Sequence, residues 1–269
     1  MNITRTAKER KYGVKTENGF TLIELSMVIV IIGLIVAGIV GGQDLVQHSR
    51  ILSQVSDLKK YEIAYNTFKL QFNAIPGDFN KASQYWSGVQ GGNGNNMLNE
   101  PEYGYDNSYE NLKFFQHLSE ATLINESYNN TFVLGGGYPK LKIDDTKGMV
   151  AAGYQVLTGS GAFLTCSQLN NSTAHAIRKA ALYMNVGVPG GGGGYNDVLG
   201  VSSPKVMQAI DKKIDDGFAN KGRFRGFTVI AFCGQDGNCL DGVNGDYLVS
   251  NNLKPCVGEY ILEGEVPEN

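Results

Sequence analysis

An apolar run occupies residues 19–43, which read Gly-Phe-Thr-Leu-Ile-Glu-Leu-Ser-Met-Val-Ile-Val-Ile-Ile-Gly-Leu-Ile-Val-Ala-Gly-Ile-Val-Gly-Gly-Gln. After Glu24, the only polar side chain up to residue 40 is Ser26, so the run suits lipid or a dry protein interior. Glu24 itself lies at the fifth position of the run that starts at Phe20. Because a charge at membrane depth is costly, this carboxylate indicates a function beyond plain anchoring.

The residues before the run indicate which side of the membrane they occupy. Five of the first 19 residues are basic and two are acidic. Basic residues beside an apolar run hold that side in the cytoplasm, so the rest of the chain is predicted to face outward. Residues 20–42 are long enough to cross the hydrocarbon of a bilayer. Hydropathy alone leaves two alternatives open, namely a plain anchor and a signal peptide cleaved near the small residues at 40–42.

The start of the run resembles a known processing site. Residues 19–24, Gly-Phe-Thr-Leu-Ile-Glu, closely resemble the site in type IV prepilins and in the pseudopilins of type II secretion. In that family a membrane peptidase cuts on the cytoplasmic side of the apolar run and methylates the new N-terminus. The resemblance implies a cut after Gly19 and an N-methylated Phe20, with the run retained. Asn18 stands where a basic residue is common, and Gly41 stands near where many pilins have a proline.

Glu24 gains a specific assembly role from this resemblance. After the cut, the chain would begin with a cationic amine at Phe20, and methylation keeps its charge. In a bundle of such helices, Glu24 of one subunit could pair with the amine of a neighbour. Because burial of a charge without a partner is expensive, we expect this pair to set the axial register between subunits.

The helix is predicted to continue beyond the membrane to residue 72. Apolar residues recur there at helical spacing, and nothing breaks the pattern before Pro76. The repeating apolar positions are Ile51, Val55, Leu58, Tyr65, Phe68 and Phe72. This apolar stripe is interpreted as core. We therefore predict a cytoplasmic leader at 1–19, a transmembrane and assembly helix at 20–73 and a globular head at 74–269.

The head is predicted to be α+β. Helices are expected at 111–124, 174–184 and 204–216, and strand-like runs occur at 132–134, 149–157, 227–232 and 260–262. Helices followed by an antiparallel sheet late in the chain are typical of the α+β class. The predicted fold is a long N-terminal helix, half membrane-spanning and half amphipathic, packed on a C-terminal domain with an antiparallel sheet. Pilin-family heads have the same arrangement.

Composition argues against a nucleic-acid partner. The chain has a formal net charge of −3, and loss of the basic leader would make it more acidic. An acidic surface does not favour non-specific binding to DNA or to anionic lipid. A short basic patch at Lys221, Arg223 and Arg225 is interpreted as a solvated strand end.

The four cysteines all lie in the region that is predicted to face outward. They are Cys166, Cys233, Cys239 and Cys256. An even number outside the membrane indicates disulfides, and the spacing suits a zinc site poorly. Three connectivities are open. Because Cys233 and Cys239 bracket a five-residue loop, we favour the pairs Cys233–Cys239 and Cys166–Cys256.

One polar loop near the C-terminus is a candidate calcium site. Oxygen-bearing side chains on a glycine-rich loop are the ligands that Ca²⁺ uses, and some pseudopilins carry a calcium site in this part of the chain. The candidate ligands are Asp236, Asn238, Asp241 and Asp246. The spacing departs from the EF-hand pattern, and a series of Asx turns is the alternative interpretation.

The sequence gives no support to an enzyme. The three histidines, at 48, 117 and 175, are far apart in the chain. The chain lacks a nucleophile-elbow Gly-x-Ser-x-Gly, a phosphate loop and a His-Glu-x-x-His motif. We therefore predict a structural and assembly role.

The resemblance implies a subunit, and its size suits a minor one, of a type IV pilus or a type II secretion pseudopilus. Its partners would be other pilin subunits, a prepilin peptidase, an inner-membrane assembly platform protein and, before assembly, the lipid bilayer. It would sit in a bacterial inner membrane with a cytoplasmic N-terminus and a periplasmic head, and later in a periplasmic or cell-surface fibre.

The alternative function is a tethered binding module that uses the helix only as an anchor. An aromatic face could then recognise a carbohydrate or a surface, with Trp86, Tyr85, Tyr103, Tyr105 and Tyr109 as the candidate residues.

Overall fold

The computed structural model describes the chain over residues 19–98, 110–131, 133–154, 178–185, 200–228, 239–241, 246–254 and 256–264. The chain divides into two compact units, Met1–Val46 and Gln47–Asn269, and each is described by itself. The division into leader, helix and head stays a prediction.

Helix α1 spans Leu22–Phe72. Within the first unit every described side chain of this helix is exposed to solvent. The helix ends where Asn73 adopts a left-handed φ of 48°, three residues before Pro76. The long N-terminal helix predicted from the apolar periodicity is confirmed.

One face of α1 is buried in the second unit. The buried side chains include Ile51, Val55, Leu58, Tyr61, Tyr65 and Phe68. They recur every three or four residues, which places them along one side of the helix. The predicted core stripe is confirmed except at its end, where Phe72 is half-buried against the core.

A four-stranded antiparallel sheet forms the centre of the second unit. Its strands are β1 (Gly148–Tyr154), β2 (Arg178–Asn185), β3 (Phe224–Thr228) and β4 (Cys256–Gly264), in the order β1-β2-β4-β3. The last strand in the sequence therefore lies inside the sheet, between β2 and β3. With α1 this sheet confirms the predicted α+β class.

Strand β2 corrects one predicted element. A helix is predicted at 174–184, but residues 178–185 are a strand paired on both edges. Ala180, Ala181, Leu182 and Met184 are all buried. A continuous apolar run of this length fits a buried strand as well as a buried helix, so periodicity could not separate the two. Residues 174–177 lie outside the described residues.

Three shorter helices complete the described secondary structure: α2 (Ala82–Tyr85), α3 (Glu110–Glu120) and α4 (Pro204–Ile214). The predicted helices at 111–124 and 204–216 match α3 and α4 with shorter C-terminal ends. Ser203 precedes α4 in an extended conformation and Pro204 opens it, as predicted from the sequence. In the predicted strand at 132–134, Leu134 forms only an isolated bridge to Tyr138, and residue 132 lies outside the described residues.

Reciprocal tyrosine–glutamate hydrogen bonds join α1 to β4. Tyr65 of α1 donates to Glu263 of β4, and Tyr260 of β4 donates to Glu62 of α1 at 2.5 Å. Arg223, just before β3, pairs with the same Glu62 at 2.6 Å. Lys69 pairs with Glu263. Each carboxylate thus has a phenol donor and a nearby cation, which limits the cost of placing it beside the core.

The disulfide in the described residues corrects the predicted pairing. Cys239 is bonded to Cys256, with 5.0 Å between their Cα atoms and a sequence separation of 17. The predicted pairs Cys233–Cys239 and Cys166–Cys256 are therefore both wrong. Cys256 opens the interior strand β4, and residues 239–241 pair with residues 246–248, where the N–H of Leu248 donates to the carbonyl oxygen of Cys239. The fold thus selects the spatial neighbour rather than the cysteine nearest in sequence. Cys166 and Cys233 lie outside the described residues.

A buried carboxylate fixes the end of α4. Asp211 is fully buried and accepts hydrogen bonds from the backbone N–H of Gly217 and from the hydroxyl of Tyr247, both at 2.8 Å. Burial raises the pKa of Asp211 to about 8, and the neighbouring Asp215 adds to the rise through a hydrogen bond and its charge. Asp211 is therefore largely protonated near neutral pH and holds α4 to the segment that the disulfide tethers.

Asp211→Asn should flatten the dependence of stability on pH. Between about pH 4 and pH 8 the native state keeps a proton that the unfolded chain releases, so the wild type should lose stability as pH rises through this window. Because the asparagine side chain resembles the protonated carboxyl and does not titrate, the variant should lose little stability as the pH rises. Thermal unfolding of the full chain in detergent, followed by circular dichroism across the window, measures the effect. Asp145→Asn, at an exposed carboxylate, is the matched control and should keep the wild-type slope. Equal slopes for wild type and Asp211→Asn would refute the assignment.

Peptide mapping under non-reducing conditions should find the Cys239 peptide joined to the Cys256 peptide. Loss of this bridge in Cys256→Ser should lower the unfolding midpoint, because a native disulfide of this loop length stabilises by about 3 kcal/mol. Recovery of a Cys233–Cys239 peptide from the native protein would contradict the structure.

Candidate functional site

The candidate processing site lies where α1 begins. Gly19 and Phe20 precede the helix in irregular backbone, and both are exposed, Phe20 to 90%. The peptide bond between them is thus outside regular secondary structure, as a protease requires of its substrate. Cleavage after Gly19 and methylation of Phe20 stay predictions.

Glu24 and Thr21 bond to each other at the N-terminus of α1. The backbone N–H and the hydroxyl of Thr21 both donate to Oε2 of Glu24 at 2.8 Å. The backbone N–H of Glu24 approaches the Thr21 hydroxyl oxygen at 3.3 Å. This is a capping box, in which the residue before the helix and the third helical residue satisfy each other's N–H groups. The carboxylate also lies at the end of the helix where the macrodipole favours a negative charge.

The capping box was not predicted, although the sequence contains a local signal for it. The pattern Thr-x-x-Glu directly before an apolar run is the signature of this motif. The predicted partner of Glu24 lies in another subunit. The structure adds a partner for Glu24 within its own chain, namely Thr21.

The apolar part of α1 has the length and composition of a membrane span. Among the described residues, α1 is the one helix that is long and apolar enough to cross a membrane. None of its most apolar stretch is buried within the structure. Ser26, the one polar side chain between Glu24 and residue 40, donates to the carbonyl oxygen of Ile23 at 2.9 Å. Because its hydroxyl is satisfied within the helix, the serine does not interrupt the apolar surface. These features fit a membrane-anchored protein.

The predicted calcium ligands are only partly described. Asp241 and Asp246 lie next to each other, and the N–H of Asp246 donates to Oδ1 of Asp241 at 3.1 Å. The N–H of Asp241 donates in turn to the carbonyl oxygen of Asp246 at 2.8 Å. Asp236 and Asn238 lie outside the described residues. Calcium binding at this loop therefore stays a prediction.

A different acidic cluster is brought together at the end of α4. Oxygen atoms of Asp211, Asp215 and Asp216 lie within 4.8 Å of one another. Oδ2 of Asp215 accepts the backbone N–H groups of Arg223 and Phe224, which lead into β3. The cluster thus binds the backbone at Gly217 and at the start of β3. These hydrogen bonds give the cluster a structural role.

Buried polar groups fix the loop after α1 to α3. The Nδ1 atom of His117 accepts the backbone N–H of Gly77 at 2.9 Å, and Nε2 lies 3.0 Å from the carbonyl oxygen of Gln90. Asp78 accepts three backbone N–H groups from residues 94–96. Burial lowers the pKa of His117 to about 4, so its ring is neutral. Because both ring nitrogens are engaged, His117 has a structural role.

The aromatic residues considered for a binding face divide between core and surface. Trp86 is half-buried and packs on the core, whereas Tyr85 is 62% exposed. The ring of Tyr85 meets that of Phe72 edge-on, with 5.4 Å between centroids. Tyr103, Tyr105 and Tyr109 lie outside the described residues.

Comparison with family models identifies the N-terminal segment. Residues 14–40 match the model described as "Prokaryotic N-terminal methylation motif". Comparison with curated proteins finds no match, and comparison with solved structures finds none either. The matched range contains Gly19, Phe20 and Glu24 together with the capping box. The chain therefore carries the N-terminal methylation signature that type IV prepilins and pseudopilins share.

Proposed function

We propose that this protein is a subunit of a type IV pilus or of a type II secretion pseudopilus. A prepilin peptidase would cut it after Gly19 and methylate Phe20, and the subunit would polymerise through α1. The observation that carries the proposal is the methylation motif at residues 14–40, directly at the start of a helix with an exposed apolar surface. The role is structural rather than enzymatic.

Retention of the apolar run is supported by the extent of α1. The helix that starts at Leu22 ends at Phe72, and its later residues form part of the core of the second unit. A signal peptidase cut near residues 40–42 would divide this helix. A cut after Gly19 lies outside the helix and keeps all of it.

Assembly through α1 is also supported by three exposed apolar residues in the part of the helix that packs on the head. Leu52, Ile63 and Leu70 are 55%, 67% and 87% exposed. They are separated by 11 and 7 residues, close to three and two helical turns, so they share one face. Between them the same face carries the exposed polar residues Ser56, Lys59 and Asn66. Tyr61 and Tyr65, each two residues from Ile63, lie on the opposite side and are buried. A face of this kind suits helix–helix contact with other subunits.

The direction of insertion and the partners follow from the same proposal. The basic leader would keep the N-terminus in the cytoplasm and place the head in the periplasm. The partners would be other pilin subunits, the prepilin peptidase and an inner-membrane platform protein. The chain's 269 residues suit a minor subunit.

A tethered binding module is the second candidate, and the exposed ring of Tyr85 is the observation that favours it. In that case α1 would serve only as an anchor. The charge of Glu24 would then have no role in assembly, so a variant at Glu24 separates the two proposals.

Glu24→Gln should insert into the membrane normally but fail to enter fibres. Glutamine can replace glutamate in a capping box, so the variant removes the charge while keeping the cap. Removal of one partner of a buried charge pair costs roughly 3–5 kcal/mol, which lowers incorporation by at least about a hundredfold. The measurement is the fraction of mature subunit recovered in sheared fibres.

Asp44→Asn is the matched control, because Asp44 is an exposed carboxylate on the same helix. This control should assemble like the wild type. Wild-type fibre yield from Glu24→Gln would rule out the charge pair and favour the tethered module.

A further inference from the structure

The Glu24 carboxylate uses only one of its two oxygens within its own chain. Both donors of Thr21, the backbone N–H and the hydroxyl, converge on Oε2 at 2.8 Å. Among the described residues no hydrogen bond reaches Oε1, and the side chain is exposed. The arrangement therefore fixes one oxygen and leaves the other accessible from outside the subunit.

We propose that Thr21 is a positioning residue, which holds Glu24 so that Oε1 is presented to the N-terminal amine of a second copy of this chain. The inference rests on the proposed function, because it assumes that such an amine approaches Glu24. Its new element is that Thr21 already holds the Glu24 carboxylate in position in the free subunit.

The chemistry of the carboxylate allows both contacts at once. An ionised carboxylate has about four lone-pair sites on two oxygens, and the two Thr21 donors occupy sites on one oxygen only. A cationic amine on Oε1 would form a charge-assisted hydrogen bond without breaking the capping box. Pairing between subunits therefore need not compete with capping within the subunit.

A preformed rotamer favours pairing between subunits. A free glutamate side chain samples many rotamers and loses that freedom when it binds. The two bonds to Thr21 remove part of this freedom before the partner arrives, and such preorganisation raises affinity without adding a contact.

A purely structural role for Thr21 predicts a different outcome. The cap acts on the first turn of a helix of 51 residues, whose later part is packed into the core of the second unit. Loss of one cap should fray that turn and leave membrane insertion and the head unchanged. A defect confined to assembly would therefore indicate positioning.

Thr21→Val and Thr21→Ser provide the test in the full-length chain. Valine keeps the shape of threonine without the hydroxyl, whereas serine keeps the hydroxyl. We expect Thr21→Val to lower the fraction of subunit in fibres by about two- to tenfold, and Thr21→Ser to restore it. The fraction is measured per mature subunit, with the N-terminus verified by mass spectrometry, so a change in processing does not affect the result.

Glu24→Gln, measured in parallel, separates failure of this inference from failure of the proposed function. If Glu24→Gln blocks assembly while Thr21→Val assembles like the wild type, Thr21 has no positioning role and the proposed function stands. If Glu24→Gln also assembles normally, the proposed pair between Glu24 and the amine is wrong, and so is the positioning role of Thr21. Equal defects in Thr21→Val and Thr21→Ser would likewise overturn the inference, since serine keeps the hydroxyl.

Discussion

Helix α1 must suit two surroundings: lipid or a helix bundle along its first part, and the core of the second unit along its later part. The core of the second unit includes one face of this helix. The helix's described residues in the first unit are mostly apolar and are exposed on every side, which suits lipid or a bundle of similar helices. From Ile51 onward one face is buried in the core, while Leu52, Ile63 and Leu70 stay exposed on another. A helix that served only the head would need no exposed apolar side chains at these three positions. A helix that served only as an anchor would need no buried face.

Polar contacts resolve the conflicts that this constraint creates. At the start of α1, Thr21 donates two hydrogen bonds to one oxygen of the Glu24 carboxylate, which limits the cost of a charge beside an apolar run. In the second unit, the reciprocal bonds that involve Tyr65 and Tyr260 engage carboxylates between helix and sheet. Both sets of hydrogen bonds stabilise charged groups beside apolar surface. The helix can therefore carry the Glu24 charge as well as a packed face.

Sequence periodicity predicted the features that depend on a local, regular pattern. The extent of α1, its core stripe and the α4 helix with Pro204 at its start all carry such patterns and agree with the structure. Strand β2 differs from the predicted helix because the apolar run at 180–184 contains no polar position that would reveal its period. The Cys239–Cys256 bridge depends on how distant segments meet, which chain spacing does not encode. The capping box has a local signature in the sequence, Thr21-x-x-Glu24, and could have been predicted from it.

In the proposed function, the apolar run is kept and exposed for assembly after a cut at its cytoplasmic end. Mass spectrometry of the N-terminus of the protein isolated from membranes shows where the chain is cut. The mature chain should begin with N-methylated Phe20. An intact Met1, or a chain that begins near Gln43, would contradict it.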